Sequence, residues 1–541
     1  MAQSPTNAGE KTFLGHPRGL FVLFFAEMWE RFSYYGMRAI LIFYLLQHWL
    51  FSEDKAYIIY GAYTALVYIT PVIGGWIADQ WLGQRKAVQY GAVLLVIGHG
   101  LMAFEGPAPT GTGEAAAAAM QSSFQINIFW LALAFIIMGV GFLKANISVI
   151  VGQLYRQGDP RRDPAFTIFY MGINLGAALG SLLVAYLGQT HGWAWGFGAA
   201  GVGMLLGLVV FVLGRPALLG KGEPPDEAVL RQRLVGVPKE WLIYLSGLIG
   251  VAVVWMLIQY QGVVGGLLAA CGAVVVAWLL FTAVFKLDRI DRDRILAALF
   301  LIALQPLFWA LFEQAGSSLN VYTDEQVDRT FLGWAVPAGM FQALNAIYIV
   351  LLGPVFAWLW LALARKGWEP STPAKFGLGL MQLGAGFLVL VVGAAAAGAG
   401  LTPVIFIFLI YLLHTTGELC LSPVGLSAMT KLAPARMVSL MMGTWFLASA
   451  GGNYIGGMIA QATGGHGAET PEGATPVMDV YHQIGWIAIA VGVGVILVSP
   501  LVKRLMHEDV DNEHHDRVLA GQGEIGEPAA AGIRTDRERR D

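Results

Sequence analysis

The chain has 541 residues, of which 56% are hydrophobic and only 13% are charged, and its formal net charge is −3. Ordinary soluble domains carry roughly 25% charged residues, so this composition excludes a series of soluble domains and predicts a polytopic membrane protein. The two cysteines, Cys271 and Cys420, lie in apolar runs, which excludes a disulfide framework.

Apolar segments of about 20 residues or more, long enough to cross the hydrocarbon core as helices, recur along the chain. In chain order they lie at 20–46, 57–80, 87–104, 125–153, 165–189, 193–213, 241–259, 263–284, 295–316, 331–363, 376–400, 402–430, 437–461 and 480–505. The pattern predicts an all-α membrane protein with fourteen spans.

A segment rich in proline, glycine and charged residues follows the sixth span and marks a boundary between predicted units of the chain. We expect a six-helix bundle at 20–214, a cytoplasmic linker with an inserted two-helix hairpin at 215–294, and a second six-helix bundle at 295–506. Residues 1–19 are predicted to be a cytoplasmic segment. Residues 507–541 are highly charged and are predicted to be a disordered cytoplasmic tail.

Basic residues are concentrated on alternate loops, which orients the spans by the positive-inside rule. Loops on one side carry clusters such as Arg85 and Lys86, whereas the opposite loops carry only Lys55 and Arg329 beside several acidic residues. The alternation predicts that both termini are cytoplasmic.

The first span contains a polar segment, EMWERFSYYGMR, at residues 27–38. At about 100° per residue, six of its polar side chains share one helix face. They are Glu27, Glu30, Arg31, Tyr34, Tyr35 and Arg38. Since an unpaired charge near mid-membrane costs about 2.5–3.5 kcal/mol, this face must line a wet cavity or pair across the bundle. A purely structural pair between Glu27 and Arg31, one turn apart, is the alternative.

Three further spans each contain a lone ionisable group, namely Lys144, Glu313 and Glu418. Ionisable residues within membrane spans mark functional sites by default. Together with the polar first helix, they predict a central cavity with positive and negative groups, which suits a zwitterionic ligand.

The cytoplasmic end of the second span reads GGWIADQWLGQRK and fits the pattern G-x-x-x-D-x-x-x-G-x-R through Asp79 and Arg85. This pattern resembles the signature loop of the major facilitator superfamily, which helps to hold that superfamily's cytoplasmic gate. The alternative is that Asp79 is an ordinary helix-end residue.

Three motifs resemble those of the proton-coupled oligopeptide transporter family of the major facilitator superfamily. They are EMWERFSYYG, FYMGINLGAAL at 169–179 and GELCLSPVGLS at 417–427. The resemblance implies a twelve-helix alternating-access core with the two extra helices of bacterial members, importing di- and tripeptides with protons across the inner membrane. Peptides, protons and membrane lipid are the expected partners. We expect a monomer with no cofactor, metal, enzymatic activity or nucleic-acid partner.

The resemblance also implies residue roles. The residues implied in proton coupling are Glu27, Glu30, Arg31 and Glu313. Those implied in substrate binding are Arg31, Tyr34, Tyr35, Tyr68, Lys144, Asn174, Trp309, Asn345, Glu418, Ser422 and Trp445. Gating residues are implied to be Arg38 with Glu313 outside, and Asp79 with Arg85 inside.

The sequence departs from the family pattern at two positions. Ala346 replaces the usual proline after Asn345, and Gly61 stands where mammalian members have a histidine. His99 and His414 lie elsewhere and are expected to be packed or hydrogen-bonded side chains, so proton coupling should depend on carboxylates.

We hypothesise that a peptide carboxylate competes with Glu27 or Glu30 for Arg31, which makes protonation easier and couples the two ligands reciprocally. Lys144 and Glu418 could pair in the empty cavity and separate around a peptide. The main alternative is a proton-coupled carrier of another small solute, such as an anion, amino acid or drug, since fold does not fix substrate.

Overall fold

The computed structural model describes residues 12–464 and 476–507, apart from 112, 157–158, 235 and 435–436. The predicted disordered tail, from residue 508 onward, lies outside the described residues, as does most of the predicted N-terminal segment. The long helices are α1 Arg18–Phe43, α2 Glu53–Ile77, α3 Gln84–Met102, α5 Phe124–Gln153, α6 Arg162–His191, α7 Trp193–Leu213, α9 Lys239–Gln259, α10 Gln261–Lys286, α11 Arg289–Phe312, α13 Ala343–Arg365, α14 Thr372–Ala397, α15 Ile405–Leu432, α16 Val438–Thr463 and α17 Pro476–Met506.

Each of these fourteen helices overlaps one predicted span. Eleven helical segments of the described chain are long and apolar enough to cross a membrane by length and composition, while α1, α3 and α16 are less apolar. The short helices are α4 Glu114–Gln121, α8 Glu227–Arg231 and α12 Ser318–Gln326. Two-residue strands complete the structure: β1 Thr12–Phe13, β2 His16–Pro17, β3 Arg233–Leu234, β4 Val237–Pro238, β5 Val327–Asp328, β6 Thr330–Phe331, β7 Trp334–Ala335 and β8 Thr402–Pro403.

The long helices pack into two groups of six around separate buried apolar clusters. In the first half, α1 packs on α6 and α7, α3 packs on α5 and α7, and α2 packs on α5. In the second half, α14 packs on α15 and α17, α11 on α16, and α13 on α15. Since lipid is as apolar as leucine, such contacts depend on close packing rather than on hydrophobic burial.

The two halves are joined at the end where α1 finishes, which we call the outer end. Asn320 Nδ2 donates to the carbonyl of Ala39 at 3.0 Å, and the Gly339 amide donates to Gln189 Oε1 at 3.0 Å. Near the same end, α2 and α16 meet at Gly61, where an added Cβ would lie 2.8 Å from the Cα of Gly457. The outer end is therefore tightly closed.

The inserted hairpin, α9 with α10, contacts both halves. Helix α9 packs on α5, whereas α10 packs on α16 and α11. Lys86 Nζ lies 2.7 Å from Glu240 Oε1 near the start of α9, and Lys55 Nζ donates to Gln261 Oε1 at 2.6 Å at the start of α10. The hairpin is thus fastened to the first half near both surfaces of the membrane.

The predicted span 331–363 begins too early. Residues 330–335 form the β6–β7 hairpin, a 3-10 turn follows at 338–342, and the helix starts only at Ala343. Gly333 has a φ of +80° and Pro337 has no amide hydrogen to donate, so the chain is not helical there. The apolar side chains of this hairpin extended the hydropathy signal beyond the helix.

Candidate functional site

Two carboxylates share one guanidinium on the buried face of α1. Arg31 Nε donates to Glu27 Oε1 at 2.8 Å and lies 3.0 Å from Glu30 Oε2, in an ion pair without hydrogen-bond geometry. The exposed fractions are 2% for Glu27, 0% for Glu30 and 4% for Arg31. Glu27 Oε2 and both oxygens of Glu30 have no hydrogen-bond partner among the described residues. One cation for two buried acids leaves a place for a proton.

Lys144, on α5, lies close to this cluster without an ion-pair partner in the part of the chain that the structure describes. Its ammonium lies 4.2 Å from the centroid of the Tyr68 ring, in a cation–π contact. The charges of Glu30, Glu27 and Arg31 on α1 act on the Lys144 ammonium. The half-buried Lys144 is therefore a positive group that remains available to an anion.

Glu418, on α15 of the second half, is held by a neighbouring helix. Asn345 Nδ2 donates to Glu418 Oε2 at 2.9 Å and lies 3.1 Å from Thr415 Oγ1. The hypothesised pair between Lys144 and Glu418 is not formed. The Lys144 ammonium lies over the Tyr68 ring, and the Glu418 carboxylate accepts from Asn345.

Several predicted wall residues meet between the halves. The rings of Tyr68 and Trp309 lie 6.5 Å apart across the halves, and Trp309 Nε1 donates to Gln305 Oε1 at 2.6 Å. Tyr35 is half-buried. Asn174 Nδ2 donates to the carbonyl of Tyr170, one turn earlier on its own helix.

Other predicted wall residues are placed differently. Tyr34 is 2% exposed, and its hydroxyl has no hydrogen-bond partner within the described residues. Trp445 is 3% exposed and packs edge-on against Phe376 at 6.3 Å, inside the core of the second half. Ser422 is half-buried beside Pro423, which interrupts the hydrogen bonding of α15. Tyr34 and Trp445 therefore do not lie on an open wall in this structure.

Arg38 and Glu313 form a buried ion pair between the halves. Arg38 Nη2 lies 2.8 Å from Glu313 Oε2, and Arg38 Nε donates to the hydroxyl of Tyr60 at 2.7 Å. Glu313 lies in a 3-10 turn that ends α11. The sequence analysis did not identify Tyr60, although it lies among tyrosines spaced by three residues on α2, at 57, 60 and 63.

At the opposite end, Asp79 and Arg85 do not pair with each other. Exposed Asp79 accepts from Gln84 Nε2 at 2.7 Å. Arg85 instead donates through Nε and Nη2 to the two oxygens of Glu223 at 2.7 Å each, and its amide donates to the carbonyl of Gly222. These hydrogen bonds hold the pKa of the Glu223 carboxyl below its ordinary value. Glu223 lies in the polar linker after α7, where no motif indicated a partner.

The three positions considered for histidine chemistry are packed. Gly61 touches the backbone of α16, so a histidine would not fit there without separating the helices. His99 and His414 are 0% and 2% exposed. Neither nitrogen of His99 has a hydrogen-bond partner in the described chain.

Comparison with known proteins gives consistent matches along the chain. A family model described as the POT family matches residues 85–475. The chain is 36% identical to the peptide transporter YePEPT of Yersinia enterocolitica over 532 residues, which cover 94% of this chain and 98% of that protein. It is 32% identical to the dipeptide and tripeptide permease B of Salmonella typhimurium, covering 91% and 97% of the two chains.

Comparison with solved structures gives matches of the same kind. A mutant peptide transporter POT in complex with alafosfalin matches with a TM-score of 0.76 and 36% identity, covering 92% of this chain and 97% of that one. A POT family transporter in complex with 5-aminolevulinic acid matches with a TM-score of 0.75 and 31% identity, covering 91% and 98%.

Proposed function

The chain belongs to the POT family, and from this membership we propose that it imports di- and tripeptides together with protons by alternating access of its two six-helix halves. It has the major facilitator fold, as predicted, and it is a polytopic membrane transporter. We further propose that it works in the inner membrane as a monomer, with lipid around it and both termini in the cytoplasm.

The placement of charge between the halves is the observation that carries the substrate proposal. In the first half, Arg31 is shared by Glu27 and Glu30, while Lys144 has no ion-pair partner among the described residues. In the second half, Glu418 is a carboxylate held by Asn345. A zwitterionic peptide would place its carboxylate near Lys144 and Arg31 and its amino group near Glu418, so both of its charges would be paired. Tyr35, Tyr68 and Trp309 would then contact the peptide side chains, which favours broad specificity.

Proton coupling would follow from competition at Arg31. With no peptide bound, the guanidinium is shared by Glu27 and Glu30, and this favours their ionised forms. A peptide carboxylate at Arg31 would weaken that support and make protonation easier. By linkage, a proton on the acid would then strengthen peptide binding by the same factor.

Two contacts would control access to this cavity. The Arg38–Glu313 pair joins the halves at the outer end and must separate for a peptide to enter. The Arg85–Glu223 pair links the start of α3, directly after the loop that follows α2, to the linker after α7 on the cytoplasmic side. We propose that Asp79 serves this loop through Gln84 rather than by contact with Arg85.

Uptake of radiolabelled dialanine into proteoliposomes tests the proposed function. With an acidic exterior, accumulation that a protonophore abolishes is the expected result. Absence of dialanine uptake by folded protein, as judged by a monodisperse size-exclusion profile, would refute the peptide proposal.

A second solute belongs in the same assay. A relative's structure contains 5-aminolevulinic acid, which carries one amino and one carboxyl group. Uptake of this compound without uptake of dialanine would assign the chain to the alternative, a proton-coupled carrier of another small solute.

A further inference from the structure

Two copies of one tetrapeptide form β-hairpins at opposite ends of the protein. The sequence TFLG occurs at 12–15 and again at 330–333. In the first copy Phe13 pairs with His16, and in the second Phe331 pairs with Trp334. Each hairpin precedes a membrane helix, with α1 starting at Arg18 and α13 at Ala343. We call them the TFLG hairpins, residues 12–17 and 330–335.

Both hairpins hold a leucine in an unusual conformation. The φ angles are +49° and +79° at Leu14 and Gly15, and +50° and +80° at Leu332 and Gly333. Two consecutive positive φ angles are typical of a type I′ turn, in which asparagine, aspartate or glycine normally takes the first position. A branched apolar residue there is strained, and such outliers point to function.

The turn tips are also strongly exposed. Leu14 is 76% exposed and Leu332 is 93% exposed, and the phenylalanine before each is more than half exposed. Neither packing among the described residues nor turn geometry explains an apolar side chain at these positions. An apolar environment outside the protein would explain both.

Each tip continues a surface that faces lipid. The ring of Phe13 lies edge-on to Phe21 of α1 at 4.9 Å, and Phe25, one turn further along, is 45% exposed. In the second hairpin, Trp334 contacts Tyr186 of α6 at 6.3 Å, and Leu183 on the same helix face is 47% exposed. Exposed apolar faces of spanning helices that do not line the cavity are expected to contact acyl chains, which would place the tips next to the bilayer.

We propose that the TFLG hairpins insert their Phe–Leu tips into the boundary between headgroups and acyl chains, one in each leaflet. Aromatic and apolar side chains at this depth are favourable for membrane-interface segments. The first hairpin fixes the depth of α1, which carries the proton-coupling cluster, and the second fixes the entry into α13. The partner is therefore the lipid bilayer itself.

Collision of a spin label with oxygen and with a water-soluble nickel complex tests this proposal in liposomes. In a chain with Cys271→Ala and Cys420→Ala, labels are placed at Leu332→Cys and, as a matched control in an exposed outer loop, at Thr110→Cys. We expect the label at 332 to collide mainly with oxygen, as it would at a depth of about 5–10 Å in the bilayer, and the label at 110 to collide mainly with the nickel complex. Leu14→Cys with Ala228→Cys repeats the comparison at the inner surface.

Equal behaviour of positions 332 and 110 would overturn the proposal. Exclusion of both reagents from 332 would also overturn it, because that result indicates contact with a second copy of the chain. Leu332→Asn with a label at Phe331→Cys gives an independent reading, since asparagine suits the turn and keeps the hairpin folded. The label should collide more often with the nickel complex and less often with oxygen. An unchanged ratio of the two collision rates would reject Leu332 as the inserted side chain.

Discussion

At the residue scale, the buried cluster on α1 contains more acid than base. Glu27 and Glu30 share Arg31, and three of their four oxygens have no hydrogen-bond partner in the described residues. Removing one partner from such a group leaves an uncompensated buried charge, which is costly. The same imbalance makes this the place where a proton changes the energetics of binding.

Glu30→Gln should abolish proton-driven accumulation while retaining exchange. The amide keeps the size of the side chain but cannot take up a proton, so peptide can still bind and cross without coupling. The measurement is dialanine uptake under an inward proton gradient, compared with counterflow of labelled for unlabelled peptide. Uphill uptake in this variant would rule out Glu30 as the coupling group.

Tyr60→Phe should weaken closure of the outer end. The Tyr60 hydroxyl accepts from Arg38 and orients it toward Glu313, and a hydrogen bond to a charged group of this kind contributes about 1.5–3 kcal/mol, roughly a 10- to 150-fold shift in population. The readout is the rate at which an impermeant thiol reagent labels Ala39→Cys, a buried position at this end.

Tyr63→Phe is the matched control for that experiment. Its hydroxyl is equally buried but has no hydrogen-bond partner in the structure as described. Its labelling rate should equal that of the parent. If both variants labelled equally fast, the Tyr60 hydrogen bond would have no special role in closure.

At the scale of elements, the start of α3 is held to the linker after α7 by an ion pair together with backbone hydrogen bonds of Gly222. Gly83, with a φ of +73°, ends a π-helical turn and brings α3 close to the backbone at Glu223. Arg85 then binds both oxygens of Glu223, whose pKa is lowered mainly by these hydrogen bonds. The linker is thereby fastened to the first half.

The contact between Arg85 and Glu223 should not change with pH until the solution is strongly acidic. A carboxyl with a lowered pKa contributes stability above its ordinary value of 4.5, and this contribution is lost as the pH falls through the lowered pKa. Protection of residues 215–226 from proteolysis should thus stay constant from neutral pH down to mildly acidic pH and fall only below that range.

Glu223→Gln supplies the comparison for this titration. It should show reduced protection at neutral pH and a much smaller further loss on acidification, because the carboxyl that binds Arg85 is no longer there to titrate. Protection equal to that of the parent at neutral pH would mean that the backbone contacts of Gly222 alone hold the linker.

At the scale of the whole molecule, closure depends on how nearly the two halves can approach. Helices α2 and α16 meet at Gly61 and Gly457, and Gln461 Nε2 donates across the same end to the carbonyl of Asp54. Alternating access requires this contact to form and break. Small residues make the contact possible because they let the backbones touch.

Gly61→Val should hold the outer end open and reduce uptake. Its added side chain would meet the α16 backbone, so the halves could no longer approach. At Gly266 on α10 an added Cβ meets nothing within 4 Å, so Gly266→Val is the control. Labelling of Ala39→Cys should accelerate only in the first variant. Normal uptake by Gly61→Val would show that the halves close elsewhere.

The sequence by itself determined the class of the protein and the parts that local pattern can specify. Runs of apolar residues located fourteen spans, because crossing a membrane imposes a length and a composition on every segment separately. Charges inside those runs marked Glu27, Glu30, Arg31, Lys144, Glu313 and Glu418, because such charges are too costly to be incidental. Motifs of ten or so residues sufficed to indicate the family, which the comparisons confirmed.

Only the tertiary structure decided which groups meet. Arg85 contacts Glu223 rather than Asp79, and the Arg38–Glu313 pair, which the family resemblance implied, has Tyr60 as a further partner. Lys144 lies on Tyr68 and Trp445 lies inside a core. The true start of α13 depends on a hairpin whose side chains are as apolar as a span. Hydropathy and helical period act over neighbouring residues, whereas these outcomes depend on how helices distant in sequence pack together.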